Sequence, residues 1–359
     1  MLKKIDIYII KKFLGTYFLA ILLIIGIAVV FDLSEKLDNF LQNDAPGKAI
    51  IFDYYLNFIP YFANLFSPLF TFISVIYFTS KLAYDTEIIA ILAGGVSFKR
   101  LVRPYMISAA FIALLSFMLS SYVIPKANYK RLIFEDTYYK PRKKDETRNI
   151  HVEIEPGLFI SINSFSPRTK IAKGIYLERF DGKDLQSRLQ AKSGKFDEET
   201  GKWKLEGYEI RNFEPWKEDV VKGKEIDTTL DLTLQDFYTY DRYYETLTNN
   251  ELEKYIKKQT DRGVGNVEEF VIEKYNRVAN SFSAFILTLI GVSISSRKVK
   301  GGTGLHMGLG LMLSFSYILF STVSTTFAIN GEMNMLLAVW LPNIIYIFIA
   351  AFLYKYAPK

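Results

Sequence analysis

Six stretches of roughly 20 or more mostly apolar residues divide the chain, at residues 13–31, 54–80, 105–124, 278–296, 305–327 and 335–354. A helix of about 20 such residues crosses about 30 Å of hydrocarbon, so each stretch is a candidate span. A single stretch could be a buried helix of a soluble protein; six in one chain make a membrane helical bundle the expected fold. The first holds no charged residue, and the second is long enough to tilt. The first is also too long for the apolar core of a cleaved leader. Asp32-Leu33-Ser34-Glu35 follows it where a cleavage site would need small residues, so it is expected to stay as an anchor.

Lys and Arg set the expected orientation. The N-terminal segment (Lys3, Lys4, Lys11, Lys12), the loop between spans two and three (Lys81, Lys99, Arg100, Arg103), the loop between spans four and five (Arg297, Lys298, Lys300) and the tail (Lys355, Lys359) are basic. The short loops on the other side hold Lys36 and Lys48, with Arg277 at a span edge. By the positive-inside rule both termini are expected in the cytoplasm of a bacterial inner-membrane protein, and the long segment between spans three and four outside it, in the periplasm. Charge is partitioned accordingly. Residues 126–274 carry 28 Lys and Arg against 29 Asp and Glu, and the remainder 16 against 9, so the net +6 is a topology signal and no nucleic-acid partner is read from it. Cysteine is absent, which excludes disulfides and thiolate metal sites.

Charged residues make up 23% of the chain, too many for one lying wholly in lipid, and the inserted segment accounts for most of them. From residue 151 to about 237 the long apolar runs give way to period-two alternation. Ile150, Val152 and Ile154 alternate with His151, Glu153 and Glu155, and Leu158, Ile160 and Ile162 continue the period. Further strands are expected at 174–180, 187–193, 203–211 and 227–234, separated by turn chemistry at Glu155-Pro156-Gly157, Asp181-Gly182-Lys183 and 197–201. The pattern predicts an antiparallel sandwich or roll. One face of such a sheet can pair with another protein or hold an acyl chain; a passive β domain fits the same residues. Residues 249–259 read as a short amphipathic helix with an Asn cap, and a helix over 267–277 is expected to run into the fourth span. The predicted domains are 1–125 with spans one to three, 126–274, and 275–359 with spans four to six.

No catalytic constellation stands out. His151 and His306 fall on opposite sides of the expected membrane, so they cannot share a metal, and each reads as a solvated or hydrogen-bonded histidine. There is no nucleophile elbow and no zincin helix. The run Lys300-Gly301-Gly302-Thr303-Gly304 lacks the Gly-Lys-Ser/Thr ending of a phosphate loop and reads as a flexible turn. The chain is therefore expected not to be an enzyme and to carry no cofactor. If it does work, the energy must come from a partner.

The loop between spans two and three is the most informative segment. Asp85 or Thr86 can cap a short helix with Glu87 in its first turn, Gly94-Gly95 can end it, and Ser97 can cap the next piece. A short apolar helix over about 85–100, flanked by charge, can lie on the membrane surface or dock in a partner's groove.

At this loop the chain resembles the LptF/LptG (YjgP/YjgQ) family of lipopolysaccharide export permeases, whose members carry a similar small-residue, Glu-containing helix followed by Gly, Ser and basic residues before a Pro. Other segments are similar to the family in order along nearly the whole chain: the opening Asp6–Leu14 stretch, residues 32–40, Val123-Ile124-Pro125-Lys126-Ala127-Asn128, Glu251-Leu252-Glu253-Lys254-Tyr255-Ile256, and Tyr275-Asn276-Arg277-Val278-Ala279. Residues 32–40 are most like the G member. The resemblance implies a β-jellyroll-like periplasmic domain and a permease subunit of an ABC-type exporter. Such a subunit extracts lipopolysaccharide from the inner membrane and passes it to a periplasmic bridge towards the outer membrane. It implies as partners an LptF-like permease, an LptB-like cytoplasmic ATPase dimer that uses the ATP, and a single-span LptC-like protein. Glu87, Ile88, Ile91, Leu92 and Gly94 would then couple to the ATPase. Basic residues near the outer end of the first span would meet lipid phosphates. Here Lys36 stands there amid Asp32, Glu35 and Asp38, so part of that burden is expected to shift to Lys126, Lys130 and Arg131. Acyl chains would sit among Phe13, Tyr17, Phe18, Phe315, Tyr317 and Phe320, residues that could equally face lipid or neighbouring helices. A scaffold or receptor whose β domain binds protein alone is the competing reading.

Overall fold

The computed structural model describes residues 3–139, 147–155, 157, 158–166, 169–197, 202–214, 216–229, 243–261, 267–297 and 302–357. It divides into two compact units. The first is helical, and among the described residues five of its helices are long and apolar enough to cross a membrane; a bent pair, counted as one span, brings the number to six. The chain is a multi-pass membrane protein.

Helix α1 (Lys4–Gln42) is 39 residues long, about 58 Å at 1.5 Å per residue, and so extends well past the apolar stretch that spans the lipid. A turn over α2 (Gly47–Ala49) and a π-helical segment (Ile50–Tyr55) lead into α3 (Leu56–Leu65) and α4 (Ser67–Tyr84). The expected single second span is thus two helices, which meet at 58°. Pro68, at the start of α4, has no N–H to carry the helical ladder across the junction and disfavours helical geometry in Ser67 before it. The short α5 (Glu87–Ala93) precedes α6 (Phe98–Met118), which continues through a π turn (Leu119–Val123) into α7 (Ile124–Phe134). Pro125 again removes a ladder donor, and one widened turn absorbs the loss without breaking the rod. Residues 126–139 therefore belong with the helices and not with the inserted domain, contrary to the boundary expected from hydropathy. After the insertion come α8 (Asn249–Asp261), α9 (Glu268–Ser295), α10 (Gly302–Ile329) and α11 (Met335–Lys355). As expected, α9 carries the pre-span helix straight into the fourth span.

In lipid, helices associate through close packing and interhelical hydrogen bonds more than through hydrophobic burial. Gly291 of α9 lies so close to α4 that an added Cβ would stand 2.6 Å from Val75 Cγ1, and Gly310 of α10 meets Ile76 in the same way. Phe13, Phe78 and Tyr105 stack between α1, α4 and α6, with centroids 5.5 and 5.2 Å apart. Asn343 of α11 is fully buried and joins three helices: its Nδ2 donates to the Ala279 carbonyl at 2.9 Å, and its Oδ1 accepts from Tyr317 at 2.9 Å.

The second unit holds β1 (Thr147–Glu155), β2 (Leu158–Ser166), β3 (Ile171–Asp181), β4 (Asp184–Asp197), β5 (Lys202–Glu214) and β6 (Lys217–Thr228). All pair antiparallel in chain order, so among the described residues the sheet is a meander, with no crossing connection of the jellyroll kind. Alternate residues such as Ile160, Ile162, Ile175, Leu177, Leu205 and Trp203 form its apolar face. Gly157 turns the first hairpin with φ at +78°, and a Cβ there would stand 2.6 Å from the Phe180 carbonyl. On the polar face Glu209 accepts from both Lys222 and Arg211, which hold its carboxyl below the usual range. The last strand differs from the expected 227–234. Lys217–Thr228 is largely solvated, with Ile226 packed against the apolar core, and its sequence carries little alternation; residues 230–234 lie outside the described set.

Candidate functional site

The helical unit has a loop end, where α5 lies, and an insertion end, where the β domain leaves and re-enters. At the loop end α5 forms as its sequence dictates. Thr86 occupies the N-cap position, although its hydroxyl makes no cap bond and its backbone is left-handed, with φ 61°. A β-branched residue pays of order 1–3 kcal/mol for that conformation. Gly94 and Gly95 end the helix in a Schellman pair, Gly95 N–H donating to Leu92 O at 3.0 Å and Val96 N–H to Ile91 O at 3.4 Å. Ser97 caps α6 by accepting from Arg100 N–H, as the spacing predicted. Of the coupling residues expected from sequence, Ile88 is fully buried in the bundle, and Ile91 and Leu92 are half-buried against it. They seat the helix. The face left exposed consists of Ile89, Ala90, Ala93 and Gly94, with Glu87 partly exposed at its start.

Two contacts join α5 and α6 to the start of α1. Tyr8 OH donates to Glu87 at 3.2 Å. Asp6, only 1% exposed, receives both guanidinium nitrogens of Arg100 at 2.6 and 2.7 Å and the Lys3 backbone N–H at 2.7 Å. Bidentate pairing of this kind fixes geometry as well as charge. Nothing in the sequence reading pointed to the Asp6–Arg100 pair, whose partners are 94 residues apart.

At the insertion end Lys36 is not an open cation. Its side chain is 12% exposed and lies 2.9 Å from Asp32 and 3.4 Å from Glu135; it also donates to Tyr54 OH and stands over the rings of Tyr54 and Tyr139. Tyr54 and Tyr55 in turn donate to Asp32 at 3.1 and 3.3 Å. Arg131 is 3% exposed, with its guanidinium 4.7 Å from the Tyr61 ring centre, and its Nε has no hydrogen-bond partner among the described residues. Lys126 and Lys130 are exposed. Four basic residues that look alike in sequence thus have three different environments. The aromatic candidates divide as well. Phe13, Tyr17 and Tyr317 are buried between helices, Phe320 is half-buried, and Phe18 and Phe315 present open surface. Both histidines are hydrogen-bonded: His151 Nδ1 lies 2.7 Å from Ser161 Oγ, and His306 Nε2 lies 3.2 Å from the Arg297 carbonyl. Of the glycine-rich run at 300–304, residues 300 and 301 lie outside the described residues, and 302–304 are not a turn but the first residues of α10.

The same end contains a cavity of about 300 Å³ bordered by α3 and α4 at their break, the α6–α7 rod, α9 and α10. Arg277 of α9 stands in its wall. Its guanidinium reaches Glu273 at 2.9 Å, Asn249 Oδ1 at 2.7 Å and the Leu247 carbonyl at 2.8 Å, so it ties the returning chain to α9. The expected Asn cap of α8 is accordingly displaced by one residue. Thr248 donates through its N–H and its hydroxyl to Glu251, at 2.9 and 2.7 Å, and frees Asn249 for Arg277 and Ser121.

Compared with known proteins, residues 7–356 match a family model described as "Lipopolysaccharide export system permease LptF/LptG". A search of curated proteins found no significant match.

Proposed function

The chain belongs to the LptF/LptG family of lipopolysaccharide export permeases, and from that premise we propose that it is the permease subunit of an ABC-type exporter in a bacterial inner membrane. In this reading it draws lipopolysaccharide out of the bilayer and hands it to a periplasmic bridge towards the outer membrane. The observation that carries the proposal is the family match across almost the entire chain. The helical architecture agrees with it.

The finer parts of the proposal rest on the family membership and on which side chains the fold leaves exposed. Glu87 and the exposed face of α5 (Ile89, Ala90, Ala93) dock in an LptB-like ATPase dimer, which alone uses the ATP; Ile88, Ile91, Leu92 and the Gly94 turn hold that face in position. The open apolar side of α1, including Phe18, Leu22 and Phe31, faces a second permease, LptF-like or another copy, and an LptC-like single-span protein joins the assembly. Acyl chains contact Phe18 and Phe315 first. Lys126 and Lys130 meet the phosphates, with Lys36 and Arg131 behind them. Both termini are cytoplasmic and the β domain periplasmic, as the Lys/Arg asymmetry favours. Because the native chain has no cysteine, Lys183→Cys should label with an impermeant thiol reagent in spheroplasts and Lys99→Cys should not; the reverse pattern refutes the orientation.

The proposal is tested by purifying the tagged chain in mild detergent and identifying bound lipid and subunits by mass spectrometry. An ATPase, a second permease and lipopolysaccharide are expected. A preparation with protein partners and no glycolipid would favour the scaffold reading instead.

A further inference from the structure

The cavity at the insertion end differs chemically from both sites just assigned. Its lining divides about evenly between apolar side chains, among them Tyr61, Leu65, Ile124 and Ile318, and the amides and hydroxyls of Asn64, Asn276, Asn280, Ser321, Thr322 and Thr325, a mixture that suits a sugar ring, with its apolar faces and polar rim, better than an acyl chain. Burying hydrocarbon against the open hydrogen-bonding positions of such groups is costly. A phosphate is equally ill served. Arg277 is the cation among the described lining residues, and its guanidinium is already committed to Glu273, Asn249 and the backbone of the returning chain. Glu273 and Glu245, which also border the space, repel an anion further.

The polar groups that remain are complementary to a neutral polyol. Asn64 Oδ1 accepts from Ser116 at 2.6 Å, which leaves its amide NH2 to donate elsewhere. Thr322 and Thr325 spend their hydroxyl protons on carbonyls of their own helix, at 3.0 Å each, and keep oxygen lone pairs to accept. A sugar hydroxyl both donates and accepts, and so matches donors on one wall and acceptors on the other. The volume sits at the lower limit for ligand pockets, which suits one or two sugar rings and not a whole glycolipid. The break at Phe66 produces the space, since Asn64 and Pro68, on either side of it, both line the cavity.

We propose that this cavity is a saccharide subsite that takes a neutral, hydroxyl-bearing ring of the transported glycolipid, apart from the places that hold acyl chains and phosphates. The proposal rests on the lipopolysaccharide reading above. It is tested on the whole purified complex by comparing retention of lipopolysaccharide with retention of phosphatidic acid, which has acyl chains and a phosphate but no sugar. Asn64→Leu combined with Asn280→Leu should lower lipopolysaccharide retention roughly tenfold, the effect of losing one or two hydrogen bonds, and leave phosphatidic acid retention unchanged. Thr322→Val combined with Thr325→Val, which preserves shape, should act in the same direction and serves as the reading if the asparagine pair fails to fold. Unchanged lipopolysaccharide retention, or an equal loss of both lipids, overturns the subsite. If the parent complex retains no lipopolysaccharide at all, the export reading itself is overturned, and the subsite with it.

Discussion

Helices α9 and α1 are both apolar enough to span a membrane, yet 67% of the most apolar window of α9 is buried within the chain against 17% of that of α1. Helix α9 is the hub. It packs against α4, α6, α10 and α11, accepts a glycine-mediated close approach from α4, and through Arg277 holds the point where the chain returns from its insertion. Helix α1 is held at separate points: Asp6 to Arg100 at one end, Tyr17 OH to Ser67 at 2.7 Å along its length, and Lys36 within its carboxylate and tyrosine network at the other. Between these ties its outer side is open apolar surface. A span built like α9 is structural. A span pinned at intervals is suited to move, or to be covered by another chain.

If that contrast is sound, substitutions should rank by helix. Arg277→Ala should have the largest effect, since it removes the buried guanidinium that binds Glu273, Asn249 and the Leu247 carbonyl together; about 3–5 kcal/mol of stability is at stake, read as loss of the monodisperse peak and a steep fall in Tm in detergent. Asp6→Asn keeps shape but removes the charge that Arg100 needs, and should give a smaller fall in Tm and faster proteolysis of the N-terminal segment. An Asp6→Asn effect as large as that of Arg277→Ala would break the comparison. Glu87→Lys should leave Tm near the parent value, because Tyr8 is its described hydrogen-bond partner in the fold, while weakening ATPase co-purification by roughly tenfold, the equivalent of about 1.4 kcal/mol. Lys36→Ala should lower Tm about as far as Asp6→Asn, since it takes from the partly buried Asp32 and Glu135 the cation they share; a change within about 0–1 kcal/mol, the range of an exposed ion pair, would break this part of the comparison. Neutralising Lys36, Lys126, Lys130 and Arg131 together should abolish glycolipid retention with the ATPase still bound; full retention would move the headgroup contact to the partner permease.

Much of the fold was legible because it obeys local rules. The spans follow from run length, α5 from its flanking turn residues, the Ser97 cap from its spacing, and five strands from alternation. What escaped depends on contacts distant in sequence or on symmetric polarity. The break in the second span lay in view at Pro68, but run length alone cannot distinguish a tilted helix from a bent one. Strand β6 escaped because Lys217–Thr228 is charged and solvated over most of its length and sets only Ile226 against the apolar core. Arg277 read as a charge at a span edge, and its role emerges only when Asn249 and Leu247 return beside it. Lys36 stood beside Asp32 already in the sequence, but Glu135, 99 residues away, and the Tyr54 and Tyr139 rings that enclose it emerge only in the fold. The cavity had no sequence signature, since scattered Asn, Ser and Thr on several helices converge only in three dimensions.

ATP-dependent movement of lipopolysaccharide is the most direct test of the export assignment. In proteoliposomes holding the purified complex, the parent chain should release labelled lipopolysaccharide when ATP is added, and the Glu87→Lys form, equally folded, should release little. Release that does not depend on ATP, or equal release by both forms, would contradict an ATPase-driven permease coupled through α5.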